Sequence, residues 1–144
     1  MNFKIIPVIL LFSLFPTFSV YACSCSVEIP TFCQSNADNS IVARVRQISY
    51  AVFEVLHVFS DDIIPDTISL SSSTQSTCAK GALELPNATE YIFNLRPDNL
   101  EAPIPRYFLS VCRKDHLQIQ NDTVYGNISP CIVAMSYNDF LAYE

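Results

Sequence analysis

Cys23-Ser24-Cys25-Ser26 sets two cysteines one residue apart, directly behind the most apolar stretch of the chain. If the chain is cut ahead of Cys23, that residue carries a free α-amino group with a reference pKa of about 7.7–8.0. Near neutral pH a sizeable fraction of such an amine is unprotonated and holds a lone pair. The carbonyl oxygen of the same residue lies two atoms further along the backbone, so nitrogen and oxygen together can close a five-membered chelate ring on a metal ion. A catalytic zinc keeps one coordination position open for water. A stiff terminus pressed into that position displaces the water and removes the nucleophile the metal would generate. The chemistry suggested by these residues is occupation of another protein's metal.

Stiffness is what a chain terminus normally lacks, because termini fray. Two disulfides leaving from Cys23 and Cys25 would supply it. The chain holds six cysteines, Cys23, Cys25, Cys33, Cys78, Cys112 and Cys131. An even count in an exported chain reads as three disulfides, with fifteen pairings open to six cysteines. Closing a loop the size of Cys23 to Cys78 is worth about 4 kcal/mol in the chain-entropy model. The larger effect is preorganisation, since the ordering cost of binding is then met during folding. Ser24 would be held between two anchors with its side chain pointing forward.

The surroundings fit an exported chain. Met1 to Lys4 is a short polar leader with one positive charge, and Ile5 to Phe18 is almost wholly apolar. Val20 and Ala22 precede Cys23 at the spacing a signal peptidase accepts. Residues 1–22 are therefore expected to be a signal peptide, and residues 23–144 a single secreted, extracellular domain. The apolar block is too short and too proline-broken for a good membrane span. A net charge of −6 provides no basic stripe for nucleic acid or an anionic membrane. The densest basic pairs are Arg44 with Arg46 and Arg113 with Lys114. Asn87, Asn121 and Asn127 head glycosylation sequons, the last weakened by Pro130. His57 and His116 belong to no His-Glu-x-x-His pattern and read as surface or strand residues. Asp61, Asp62 and Asp66 lack the ligand spacing of a calcium loop and read as a solvated turn. Neither a phosphate-binding glycine loop nor a serine nucleophile elbow is present in the sequence, so the chain is not expected to be an enzyme.

The elements that must position the wedge are strands. Ile41–Ile48, Ala51–Phe59, Thr67–Ser71, Tyr91–Leu95 and Arg106–Cys112 alternate or are rich in β-formers, Thr123–Tyr125 adds a short piece, and turn residues separate them. Five short strands and only two glycines suggest a small closed or partly closed antiparallel barrel of OB-like form. Phe53, Phe59, Tyr91, Phe93 and Phe108 read as its core. A short helical turn is expected within Ile29–Ser35, and a terminal helix over Ile132–Tyr143.

Taken together, Cys-Ser-Cys-Ser at the mature start, Thr31-Phe32-Cys33, Ile41-Val-Ala-Arg-Val45, Ser76-Thr-Cys78-Ala with Gly81, Glu90-Tyr-Ile-Phe-Asn-Leu95 and Leu109-Ser-Val-Cys112 resemble the N-terminal, netrin-like domain of the tissue inhibitors of metalloproteinases. The resemblance covers most of Cys23 to Cys131 and does not extend to that family's second domain. It implies a mainly-β, five-stranded OB-like closed barrel with short flanking helices and three disulfides, paired Cys23–Cys78, Cys25–Cys112 and Cys33–Cys131. It also implies a monomeric inhibitor of extracellular zinc metalloendopeptidases. The Cys23 amine and carbonyl would ligate the target's zinc, and Ser24 would enter the adjacent pocket. Cys25, Ser26, Ser76, Thr77 and Cys78 would complete the contact ridge. The metal is the partner's, so no cofactor of the chain's own is expected.

The chain departs from the family pattern in three places. The spacer from Cys25 to Cys33 is short, Glu28 stands near the ridge, and the hairpin between Ile48 and Ala51 is too tight to form a projecting loop. These bear on target choice. The competing reading is a netrin-like interaction module of the extracellular matrix or of signalling, without inhibitory action. A bacterial lipoprotein start is a further reading of Cys23, poorly served by Tyr21.

Overall fold

The structure is a computed structural model and describes residues 30–35, 40–71, 79–80, 85–110 and 112–143. The strands are β1 (Ile41–Ser49), β2 (Val52–Val58), β3 (Thr67–Leu70), β4 (Ala79–Lys80), β5 (Glu90–Asn99), β6 (Arg106–Ser110), β7 (His116–Gln120), β8 (Thr123–Ser129) and β9 (Ile132–Ser136). Two short helices flank them, α1 (Phe32–Ser35) and α2 (Tyr137–Tyr143).

A closed barrel is formed by five strands in the order β1-β2-β3-β6-β5, with β5 returning to pair with β1. All contacts are antiparallel except β3 beside β6, where Ser69 faces Arg106 and Leu70 faces Tyr107. This is the expected OB-like, mainly-β architecture. Strand alternation builds its interior. Ala43 and Val45 on β1, Phe53 on β2, Ile68 and Leu70 on β3, Tyr91, Phe93 and Leu95 on β5, and Tyr107 and Leu109 on β6 form one buried cluster. Phe53 meets Phe93 edge-on at 5.1 Å, and Tyr91 stacks on Phe93 at 5.3 Å. The Tyr91 hydroxyl reaches the chain's own entry loop, 2.7 Å from the Pro86 carbonyl oxygen, so this core tyrosine buries no orphaned polar group.

The opposite faces of β1 and β5 carry a second core. Val42 and Ile92 join Leu117 and Ile119 of β7, Val124 and Ile128 of β8, Phe32 of α1 and Phe140 of α2. The meander β7-β8-β9 extends the sheet from β5 and supplies this layer. Of the five aromatic residues expected in the core, Phe53, Tyr91 and Phe93 are fully buried, while Phe59 and Phe108 are half-buried. Phe59 packs against the second core.

Two expectations are corrected. The chain has strands beyond the expected ones in β4, β7 and β9. The terminal helix occupies only Tyr137–Tyr143, because Ile132–Ser136 pairs with β8 as an edge strand. Ser136 marks the switch. Its Oγ accepts the Asp139 N–H at 3.0 Å and lies 2.6 Å from the Asp139 carboxylate, an N-cap with an acidic partner three residues on. Ser136→Ala is expected to lower stability by about 1 kcal/mol, read as a shift in the denaturation midpoint. At α1 the bond runs the other way, with the Gln34 side-chain oxygen accepting the Thr31 N–H at 3.0 Å.

Candidate functional site

Cys23, Ser24, Cys25, Ser26, Ser76, Thr77 and Cys78 lie outside the described residues. The structure describes the strands that flank Cys78 and Cys112 in sequence. β4 runs antiparallel to β6, with Ala79 opposite Ser110 and Lys80 opposite Leu109. This register sets Ala79, the residue after Cys78 in sequence, opposite Ser110, which comes two residues before Cys112. Cys112 is disulfide-bonded.

The stretch that carries Cys112 is held by a buried carboxylate. Asp115 is fully buried, and its Oδ2 accepts the Ser110 N–H at 2.9 Å. The Ser110 hydroxyl oxygen accepts the Cys112 N–H at 3.2 Å. The Asp115 carbonyl accepts the N–H of Asn94, a fully buried residue of β5, at 2.9 Å. Sequence reasoning passed over Asp115 as one member of the Arg113-Lys114-Asp115 run. Its only signal is an acidic residue directly before an alternating segment.

Cys33 and Cys131 are placed differently from the pairing implied by the resemblance. Cys33, half-buried on α1, packs against the second core, whereas Cys131 is exposed in the turn between β8 and β9. The two are not joined to each other. Arg96 and Arg113 each direct a guanidinium N–H to the Ser35 carbonyl at 3.5 Å, at the C-terminal end of α1. Both side chains therefore serve the helix that carries Cys33.

A second feature is a polar cleft of about 480 Å³, lined by Arg44, Asn87, Thr89, Glu90, Asn121 and Asp122 among others. Sequence reasoning noted Arg44 and Arg46 only as a basic pair. Register explains their use, because Arg44, Arg46 and Glu90 fall on the same outer face of neighbouring strands. Arg44 donates to Glu90 Oε2 from Nε at 2.9 Å and from Nη2 at 2.6 Å, and Arg46 Nη2 donates to Oε1 at 3.0 Å. The Arg44 guanidinium also lies over the Tyr137 ring, 4.4 Å from its centre, which fastens α2 to the barrel. Burial pushes the Glu90 carboxyl up, but its hydrogen bonds and charge contacts with Arg44 and Arg46 outweigh burial and hold it below the ordinary glutamate range. The resulting stabilisation is present above the unfolded glutamate pKa and is lost as pH falls through the lower folded value. Glu90→Gln should therefore cost about 1–2 kcal/mol at neutral pH, with the gap to the parent closing on acidification. Chemical denaturation at several pH values measures this.

The sequon residues Asn87, Asn121 and Asn127 are all exposed, and the first two open onto this same cleft. His57 is exposed and meets the Phe59 ring edge-on at 4.8 Å. Asp61, Asp62 and Asp66 are exposed, and Ser60 hydrogen-bonds Asp62 at 2.6 Å, as a solvated turn should. Among the described residues no group of three or more His, Cys, Asp or Glu side chains is placed to hold a metal ion. No helix among them is long and apolar enough to cross a membrane.

The fold defines a mainly-β chain built on an OB-like closed barrel. No family model matches the chain, and neither a curated protein nor a solved structure matches it.

Proposed function

We propose that the chain is a secreted, single-domain inhibitor of zinc metalloendopeptidases. Its first mature residue, Cys23, ligates the target's catalytic zinc through the α-amine and carbonyl oxygen. Ser24 fills the neighbouring pocket, and Cys25, Ser26 and Ser76 to Cys78 form the rest of the contact. The chain is a ligand and not a catalyst, and the zinc belongs to its partner. The single observation that supports this reading is the β4–β6 register. It sets Ala79 and Ser110, one and two residues in sequence from the cysteines that the resemblance pairs with Cys23 and Cys25, opposite each other on neighbouring strands. Staples Cys23–Cys78 and Cys25–Cys112 then hold the tip from both sides, and the netrin-like module supplies the rigid support.

The test is to express the chain through a secretory route, determine the first residue and intact mass, and titrate the product against a panel of zinc endopeptidases. The expected result is an unmodified Cys23 terminus and stoichiometric inhibition, lost when the α-amine is acetylated. A protein with a free Cys23 amine and no effect on any panel member would be a netrin-like interaction module, and the inhibitor reading would be wrong.

A further inference from the structure

We propose that Asp115 is the positioning residue for the Cys112 anchor. Its buried carboxylate fixes the connection between β6 and β7, and so sets where the N-terminal staple is fastened. The consequence for inhibition rests on the function proposed above; the geometry of the anchor does not.

Asp115 holds both ends of that connection. Through Oδ2 it takes the N–H of Ser110, the last residue of β6, at 2.9 Å. Through its carbonyl oxygen it takes the N–H of Asn94 on β5, also at 2.9 Å. Ser110 in turn accepts the Cys112 N–H at 3.2 Å. Cys112 thus hangs from Ser110, and Ser110 from Asp115, which is itself tied to β5, one of the two strands shared by both cores. Burying a polar acceptor costs free energy unless it is hydrogen-bonded, which holds the Asp115 side chain strongly to the Ser110 N–H. That strength matters at a disulfide, which tolerates only a narrow Cα separation of roughly 4.4–6.8 Å before strain makes it easier to reduce.

The experiment measures how fast the Cys112 disulfide is reduced by a dithiol under native conditions, with trapped thiols located by alkylation and peptide mass. Asp115→Ala should speed reduction about tenfold or more. Ser110→Ala, which removes only the hydroxyl that takes the Cys112 N–H, should speed it by a smaller factor. Asp115→Asn, which keeps a side-chain oxygen for the Ser110 N–H, should fall between parent and alanine variant. Ser136→Ala, which weakens the fold at the far helix, is the control and should leave the rate near the parent's. The proposal is overturned if Asp115→Ala and Ser136→Ala are reduced at the same rate. Should Asp115→Ala fail to fold, an unchanged rate in Ser110→Ala overturns it equally. Faster reduction in Asp115→Ala, with no inhibition by parent or variants, would sink the inhibitor reading and leave the anchor standing.

Discussion

Adding one alanine ahead of Cys23 is expected to abolish inhibition while leaving the fold intact. The extension converts the Cys23 α-amine into a peptide nitrogen, whose lone pair is delocalised into the planar amide and no longer binds a metal. It also moves the free amine about 3.8 Å away, past the point where the same residue's carbonyl can close the chelate. Both zinc ligands are lost as a pair, because neither geometry nor basicity survives. A loss of at least about 100-fold in affinity is expected, the equivalent of about 2.7 kcal/mol. The barrel should not notice, since its two cores are built from residues between Phe32 and Phe140. Circular dichroism and the denaturation midpoint should match the parent's. Undiminished inhibition by the extended protein would mean that the terminus is not the ligand.

Gly126→Ala is expected to be the most damaging single-methyl change in the second core. Gly126 sits at φ 139°, a conformation that only glycine adopts without strain. A methyl group there would come within 2.7 Å of the Leu117 Cδ2, and Leu117 is fully buried, so its side chain would have to shift within packed surroundings. The position is a bulge. Tyr125 faces Ala134 while Ser129 faces Ile132, so β8 carries two more residues than β9 across the same span. Val124 and Ile128, on either side of the bulge, both turn into the second core. Backbone strain and overpacking together should cost about 3 kcal/mol, read as a fall of about 10 °C in the thermal midpoint. A variant within about 0.5 kcal/mol of the parent would show that β8 can straighten without loss.

The barrel strands were legible because each has one face in the interior and one outside, so their residues alternate. Tyr91, Phe93 and Leu95 face one core, and Ile92 faces the other. The second layer was harder to read. Leu117 and Ile119 alternate in β7, but only over five residues hard against the Arg113-Lys114-Asp115 run. Asn121 and Asp122 both take positive φ, at 48° and 59°, in the two-residue turn between Gln120 and Thr123. This is hairpin chemistry, and it was read only as a sequon. Ile132, Met135 and Phe140 are spaced as on a helix, yet the first two lie on an edge strand and the third on α2. Periodicity measures which residues turn inward and is blind to a strand-to-helix switch at Ser136. The wedge was legible as chemistry, because amine, carbonyl and paired thiols are properties of residue types. Its supports were not. The Asp115 carboxylate acts through Ser110, and the clamp of Glu90 on Arg44 joins residues 46 apart in sequence. Such contacts follow from strand register, which no local pattern specifies.

The most direct measurement is the structure of the mature chain bound to a zinc endopeptidase that it inhibits. The account predicts the Cys23 nitrogen and carbonyl oxygen in the zinc's coordination sphere, at about 2.0–2.2 Å, in place of the catalytic water. A complex in which the zinc keeps its water and Cys23 lies elsewhere would contradict it.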